Sequence, residues 1–218
     1  MPPLRLLYVA DPLCSWCWGF QPVLDRFVEQ TPGANQVDLI LGGLAEDSGV
    51  PMGPEMRSFV QGAWRAVEQR CQVPMNWQLW QQQSPKRSTW PACRAVLAAK
   101  QLAPGGDWRL YRSLQKAFYQ QAKDVTDEAQ LLQSATESAT ASDPPLDPIA
   151  FEKLWRAEET QHQLHAHRQT VESLGVQGFP ALFLVRRGET LPLAHGYRPL
   201  EVVQKAYRES QKRLAAGD

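Results

Sequence analysis

Residues 11–20 read Asp11-Pro12-Leu13-Cys14-Ser15-Trp16-Cys17-Trp18-Gly19-Phe20. The segment before them, residues 4–10, is short, apolar and rich in strand-forming residues, which predicts a buried β-strand that ends at Asp11-Pro12. After Cys14, apolar residues recur at helical spacing as far as the stop signal at residues 31–33. The two cysteines therefore lie where a strand gives way to a helix.

The cysteine pair has the spacing of a reversible disulfide. Residues i and i+3 share one helical face, with Cα atoms about 5 Å apart, and a disulfide needs about 4.4–6.8 Å. At the helix N-terminus, Cys14 would meet unpaired backbone N–H groups and the positive end of the helix dipole, which favour the thiolate that attacks in disulfide exchange. We predict that Cys14 is the nucleophile and that Cys17, one turn further on, is the more buried resolving thiol.

Both ends of the chain contribute strands to the predicted sheet. Residues 37–41 form a second apolar strand closed by Gly42-Gly43, so the chain opens as strand, helix, strand with a parallel pair. Residues 181–185 and 191–194 follow as an antiparallel pair, and residues 199–214 form a last amphipathic helix. The predicted fold class is therefore α/β, with a β-α-β unit and a β-β-α unit around a mixed sheet of about four strands.

The middle of the chain is predicted to be a large helical insertion. Apolar stripes at helical spacing run through most of residues 51–174, whereas residues 134–147 are rich in Ser, Thr, Ala and Pro and predict a loop. Asp147-Pro148 has the pattern of a helix cap followed by a first-turn proline. We assign residues 1–48 and 169–218 to one discontinuous α/β domain and residues 49–168 to a helical insertion domain.

A second motif, Gly178-Phe179-Pro180, directly precedes the third strand. Proline cannot donate to a sheet ladder, so it belongs at the first position of the strand or before it. A cis Phe179–Pro180 bond would leave the backbone N–H and C=O of Phe179 free to pair with an extended partner by strand addition. On base rates alone, a trans bond is favoured.

Composition and charge exclude several functions. The 218 residues carry 23 basic and 23 acidic side chains, which gives a formal net charge of zero, so no nucleic-acid partner is expected. No apolar run approaches the length that spans a bilayer, so no membrane partner is expected. Residues 1–10 lack the basic leader and the cleavage site of a signal peptide, which predicts a cytoplasmic protein.

The cysteine count argues against a disulfide scaffold and a metal site. Four cysteines are too few to staple a chain of this length. A zinc site would need a second ligand pair, and Cys71 and Cys93 are neither close in sequence nor beside a histidine at ligand spacing. We expect both to be buried structural thiols, with a secondary redox role as the alternative. The histidines of one predicted helix are expected to form a polar face: His162, His165 and His167.

Together these motifs resemble the DsbA-like branch of the thioredoxin superfamily and, within it, the cytoplasmic FrnE-type group. The resemblance rests on residues 8–20, 42–43, 91–95, 117–119 and 174–182. It implies a thioredoxin-like fold with a helical insertion and a redox centre of Cys14 and Cys17. It implies that Pro180 is cis, packs against them and is a third catalytic residue. It also implies disulfide exchange with protein or peptide thiols, with glutathione as a further redox partner and no bound cofactor.

The sequence departs from this family at two positions. Ser15-Trp16 stands where periplasmic DsbA has Pro-His, so strong oxidising power does not carry over, and Phe179 is larger than the usual residue before the proline. The aromatic side chains near the pair either belong to the core or form an apolar rim that holds a partner. We predict that the partner-binding residues are Ser15, Trp16, Trp18 and Phe179.

Two alternative functions share this pattern. Glutathione transferases of the kappa type and 2-hydroxychromene-2-carboxylate isomerases resemble the chain in layout but have a serine where this chain has Cys14. A chaperone-like binding module with a vestigial centre is the second alternative. The intact cysteine pair favours disulfide exchange over both, but oxidase, reductase and isomerase directions share the same residues and depend on the reduction potential.

Overall fold

The computed structural model describes residues 5–32, 36–140, 147–186 and 188–216. Within them, four strands form one mixed sheet in the order β2-β1-β3-β4. Strand β1 pairs in parallel with β2 and antiparallel with β3, and β3 pairs antiparallel with β4. The predicted fold class is confirmed. The strands are β1 (Arg5–Ala10), β2 (Gln36–Leu41), β3 (Ala181–Arg186) and β4 (Glu189–His195).

The helices of the described residues follow the predicted order. Helix α1 joins β1 to β2, α9 follows β4, and the remaining helices lie between β2 and β3 in the chain. Their bounds are α1 (Ser15–Gln30), α2 (Pro54–Cys71), α3 (Gln78–Gln82), α4 (Trp90–Leu102), α5 (Gly106–Tyr119), α6 (Glu128–Thr140), α7 (Pro148–Trp155), α8 (Glu158–Ser173) and α9 (Leu200–Ala216). None of them is long and apolar enough to cross a membrane.

Strand β1 is central and is covered on both faces. Leu6, Tyr8 and Ala10 point into the main core, whereas Val9 packs on the other face with Phe183 of β3. A strand that is buried on both faces needs a continuous apolar run rather than an alternating one. This explains why the segment before Asp11 is almost entirely apolar. Burial on both faces also holds the end of β1 in place, and α1 begins a few residues after it.

The structure corrects the loop predicted for residues 134–147. Helix α6 continues to Thr140, because Leu131, Ser134 and Ala135 turn a buried face towards the core. The small side chains of Ser and Ala permit close packing there and do not mark a loop. Residues 141–146 lie outside the described residues. The caps that follow were predicted correctly: Asp147 accepts a hydrogen bond of 2.9 Å from the Ile149 N–H.

The structure also corrects the polar face predicted for the histidines of α8. His162 and His165 are exposed, but His167 is half-buried against β2, where its Nδ1 accepts a 3.0 Å hydrogen bond from the Leu41 N–H. Because β2 is an edge strand, this contact satisfies a backbone group that would otherwise lack a strand partner. The predicted domain boundary at residue 168 falls inside α8, and the division into two domains stays a prediction.

Candidate functional site

Cys14 and Cys17 lie together at the start of α1. Cys14 is the N-cap residue, with extended backbone angles (φ −86°, ψ 114°), and its carbonyl oxygen accepts hydrogen bonds from the N–H groups of Cys17 (3.0 Å) and Trp18 (3.1 Å). Both cysteines are free thiols. Cys14 keeps 6% of its surface exposed and Cys17 keeps none. The pair thus has an outer and an inner member.

The loop before β3 brings Phe179 and Pro180 to this pair. The Phe179–Pro180 peptide bond is cis, and the Cys14 Sγ lies 3.7 Å from the Phe179 carbonyl oxygen, in the range of a long S–H···O hydrogen bond. Pro180 is buried and Phe179 is half-buried. The structure therefore brings together the three residues that the sequence proposed as catalytic and one of the proposed partner contacts.

Gly42 provides the space that the Phe179 ring occupies. A Cβ at Gly42 would lie 2.1 Å from the ring's Cζ atom, a distance that no side chain could tolerate. The Gly42 N–H continues the β1–β2 ladder by donating to the Ala10 carbonyl oxygen at 2.8 Å. The end of β2 thus borders the ring, and a residue with any side chain at this position would displace the Phe179 ring.

The surroundings of Cys17 oppose its ionisation. Burial is the main cause that raises the pKa of the Cys17 thiol well above its usual range, and the neighbouring Cys14 side chain raises it further. The backbone N–H of Asp11 acts in the opposite direction by hydrogen-bonding to the Cys17 sulfur, whereas the Asp11 carboxylate raises the pKa by repulsion. The surroundings of Cys17 therefore favour its protonated thiol over the thiolate.

Asp11 is a fully buried carboxylate whose oxygens are satisfied by hydrogen bonds. Its Oδ1 accepts from the Leu13 N–H at 2.8 Å, and its Oδ2 accepts from the Leu44 N–H at 2.8 Å and the Thr89 hydroxyl at 2.7 Å. The Cys93 thiol lies 3.5 Å from the same Oδ2. A buried charge needs such partners. Asp11 thereby joins the cysteine turn, the segment after β2 and helix α4.

Sequence reasoning missed the roles of Asp11 and Gly42. Asp11 was treated only as a strand breaker with Pro12, and Gly42 only as the end of β2. A usable signal was present for Asp11, since a carboxylate between an apolar strand and a helix that carries two cysteines has few ways to reach solvent. For Gly42, no local signal reveals the Phe179 ring, because that contact joins residues far apart in the chain.

The other residues proposed to contact a partner separate into two groups. Trp16 is half-buried and packs against Tyr197, with ring centroids 6.2 Å apart. Trp18 belongs to the core: its ring stacks on Tyr119 at 5.7 Å, and its Nε1 donates to the Pro74 carbonyl oxygen at 3.2 Å. Ser15 is buried in the first turn of α1. The burial of Trp18 and the hydrogen bond made by its indole N–H argue against contact with a partner. We therefore reassign Trp18 to the core.

Of the other two cysteines, Cys93 is buried as predicted, whereas Cys71 is only half-buried because it lies at the end of α2. Cys71 ends α2 and packs against Gly19 of α1, where a Cβ would lie 2.7 Å from its Sγ; burial raises the pKa of Cys71 to about 11. Cys93 is fully buried in α4, and burial raises its pKa well above the usual range. Among the described residues, no group of three or more His, Cys, Asp or Glu side chains is arranged to hold a metal ion.

A mixed sheet with a Cys-x-x-Cys pair at the start of α1, facing a proline loop before β3, defines a thioredoxin-fold protein with a helical insertion. The chain belongs to the DSBA-like thioredoxin domain family, whose model matches residues 5–208. This confirms the family that the sequence motifs indicated.

Solved structures with the same fold include two bacterial proteins. A Nitrosomonas europaea protein, solved as a candidate protein disulfide isomerase, is 27% identical, with a TM-score of 0.81 over 96% of this chain and 98% of that one. The cytosolic disulfide reductase DsbM of Pseudomonas aeruginosa is 25% identical, with a TM-score of 0.75 over 96% of this chain and 99% of that one. DsbM has also been solved with GSH.

One curated relative is named as an adapter protein rather than as an oxidoreductase. The ClpXP adapter protein SpxH of Halalkalibacterium halodurans is 24% identical over 182 residues, which cover 82% of this chain and 57% of that protein. The chain thus spans less than three fifths of the length of the curated relative that it matches.

Proposed function

We propose that this protein is a thiol–disulfide oxidoreductase that exchanges disulfides with protein, peptide or small thiol partners through Cys14 and Cys17. The observation that carries the proposal is the position of the Cys14 sulfur at the N-terminus of α1, 3.7 Å from the Phe179 carbonyl oxygen. Peptide dipoles at a helix N-terminus stabilise negative charge, and thiolate is the attacking species in exchange. The family membership supports the same chemistry.

In the reductive direction, the chemistry would run in two steps. The Cys14 thiolate attacks one sulfur of a partner disulfide, which forms a mixed disulfide and releases the other partner sulfur as a thiolate. Cys17 then loses its proton and attacks Cys14 Sγ, so that the Cys14–Cys17 disulfide forms and the second partner sulfur leaves and takes up a proton. The oxidative direction reverses these steps, and the potential of the pair selects between them.

Glutathione is proposed as a small redox partner, and the cytoplasm as the compartment. The support for both is the similarity to DsbM, a cytosolic disulfide reductase that has been solved with GSH. Trp16 and Phe179 are proposed to contact the partner, since both are half-buried beside Cys14. A cis bond at Pro180 is compatible with backbone pairing between Phe179 and an extended partner segment.

The test is trapping of a mixed disulfide with oxidised glutathione or a model disulfide peptide, read by intact-mass spectrometry. Cys14→Ser is expected to abolish exchange, whereas Cys17→Ser is expected to accumulate the mixed disulfide on Cys14. Cys71→Ser is the matched control and should exchange like the native protein. Native exchange rates in Cys14→Ser would reject the proposal.

The same experiment separates the alternatives. An isomerase of the 2-hydroxychromene-2-carboxylate type would act with glutathione without forming a covalent mixed disulfide. A binding module would show neither trapping nor isomerase activity. The buried Cys17 beside Cys14 favours exchange, because a resolving thiol has no role in either alternative.

A further inference from the structure

A chain of buried polar groups leads away from Cys17 into the core. The Tyr8 hydroxyl lies 3.5 Å from the Cys17 carbonyl oxygen and interacts with the Cys17 thiol. The Tyr111 hydroxyl interacts with that of Tyr8, and the two rings meet edge-on with centroids 6.3 Å apart. Gln115 Nε2 in turn donates to the Tyr111 hydroxyl oxygen at 3.1 Å. Three side chains from β1 and α5 thus form one buried polar series that ends at Cys17.

The series has one consistent direction. Because the Gln115 amide nitrogen donates to the Tyr111 hydroxyl oxygen, the Tyr111 hydroxyl keeps its own proton. This proton can point towards Tyr8. The proton of the Tyr8 hydroxyl is then left for Cys17. Its present contact with the Cys17 carbonyl oxygen is long for an O–H···O hydrogen bond, so this proton is available to the sulfur when the sulfur becomes negative.

The position of the Tyr8 hydroxyl is fixed by its ring. The ring stacks between Phe20, at 6.0 Å and 18°, and Trp108, at 5.9 Å and 14°. Tyr111 meets it edge-on at 6.3 Å. Tyr8 and Tyr111 are each only 1% exposed. The donor is therefore preorganised and shielded from water, which strengthens a hydrogen bond to a developing charge.

Both phenols remain donors under ordinary conditions. Burial raises the pKa of Tyr8 and of Tyr111 well above their usual range, and repulsion from Cys17 raises the pKa of Tyr8 further. A phenol that holds its proton so tightly does not act as a base towards Cys17. It can, however, donate a hydrogen bond to the Cys17 thiolate while keeping the proton.

We propose that Tyr8 is a further catalytic residue, which donates a hydrogen bond to the Cys17 sulfur as it ionises to resolve the mixed disulfide, with Tyr111 and Gln115 as positioning residues. The inference rests on the proposed function. The Cys17 proton passes to the departing partner sulfur. Cys17 Sγ bonds to Cys14 Sγ, the bond from Cys14 to the partner breaks, and Tyr8 neither gains nor loses a proton.

The test measures the two steps separately. Resolution is followed by loading Cys14 with a chromogenic aryl thiol and recording its release by stopped flow across pH. The first step is followed as mixed-disulfide formation in a Cys17→Ser background. Tyr8→Phe removes only the hydroxyl and keeps the stacked ring. We expect resolution to slow about 10- to 100-fold at pH 7, its pH profile to move to higher pH, and the first step to keep its rate.

Two further variants check the series. Tyr111→Phe should slow resolution less than Tyr8→Phe, because it removes only the support of the donor. Tyr119→Phe is the matched control: Tyr119 is another fully buried tyrosine of the same core, but its hydroxyl has no hydrogen-bond partner. Its resolution rate should equal that of the native protein.

The outcomes distinguish the inference from the proposed function. Unchanged resolution and an unchanged pH profile in Tyr8→Phe would overturn the inference while disulfide exchange stands. Equal slowing of both steps in Tyr8→Phe, or slowing in Tyr119→Phe as large as in Tyr8→Phe, would also overturn it, because either result indicates general damage to the core. If no variant, the native protein included, forms a mixed disulfide, the proposed function itself fails and the inference fails with it.

Discussion

The Thr89 hydroxyl donates a 2.7 Å hydrogen bond to the Asp11 carboxylate, which joins the start of α4 to the turn that carries Cys14. The Leu44 N–H donates to the same Oδ2 atom at 2.8 Å. Two segments that follow β2 in the chain are therefore held to the end of β1 by one buried charge. The position of the cysteine turn depends on residues of the helical insertion, not only on the sheet beneath it.

Asp11→Asn is expected to destabilise the protein by about 2–4 kcal/mol. An amide has only one acceptor oxygen, so its NH2 group would face a donor that the carboxylate now satisfies. Loss of the charge should also lower the pKa of Cys17, because the carboxylate raises it. Urea unfolding and thiolate absorbance against pH measure the two effects.

A matched control for this variant is Asp47→Asn. Asp47 forms an ion pair with Arg94 at 2.9 Å, but the Asp47 side chain is 53% exposed. Loss of this ion pair should therefore cost less than about 1 kcal/mol of stability. Equal stability of the Asp11 and Asp47 variants would contradict the role of Asp11 as a structural link.

Gly42→Ala is expected to reduce exchange activity by displacing Phe179. The new Cβ would lie 2.1 Å from the Phe179 ring, and overpacking of this kind costs about 1–3 kcal/mol. Gly49→Ala serves as the control, since no atom lies within 4 Å of a Cβ there. Steady-state disulfide reduction and thermal unfolding check both variants. A native rate in Gly42→Ala would show that the position of Phe179 does not matter for exchange.

The sequence was sufficient for the sheet and for the position of the cysteine pair. Both depend on local patterns: an apolar strand, a strand breaker, a helical stripe and a helix stop. The contacts around Cys17 could not be read in the same way. Tyr8 looks like any strand residue until α5 places Tyr111 beside it. Trp16 and Trp18 look alike in the sequence, but the structure buries Trp18 in the core and leaves Trp16 half-buried.

Because of His167, the free energy of unfolding is expected to decrease as the pH falls below about 6.5. Burial lowers its pKa to about 4, and Lys100 lowers it further while Asp107 acts against this. The unfolded state therefore binds a proton between about pH 6.5 and pH 4 that the folded state does not bind, so the free energy of unfolding decreases as pH falls through this window. The loss attributable to His167 should reach roughly 3 kcal/mol at pH 4.

The measurement is urea unfolding at pH 7 and pH 4 for native protein and His167→Gln. Glutamine can accept the Leu41 N–H through its amide oxygen without titrating, so the variant should lose less stability on acidification. His162→Gln, on the exposed face of the same helix, should behave like native protein. Identical pH dependence in native and His167→Gln would contradict the assignment.

Reaction of the reduced native protein with iodoacetamide at pH 7.5 should label Cys14 before any other cysteine. Cys17 and Cys93 have no exposed surface, and burial raises the pKa of both thiols. Cys71 is better exposed, but with a pKa of about 11 less than about 0.1% of it is thiolate at this pH. Exposure alone would therefore predict that Cys71 reacts first, whereas the position of Cys14 at the N-terminus of α1 predicts that Cys14 does.

Peptide mass spectrometry of time points resolves the four sites. One label should accumulate on Cys14 in native protein and in Cys71→Ser, it should be absent in Cys14→Ser, and all four cysteines should react once urea unfolds the chain. Because oxidation to a Cys14–Cys17 disulfide removes the reactive thiol, the oxidised protein should take up no rapid label. Faster labelling of Cys71 than of Cys14 would mean that the most reactive thiol lies at the end of α2, which would contradict the assignment of Cys14 as the nucleophile.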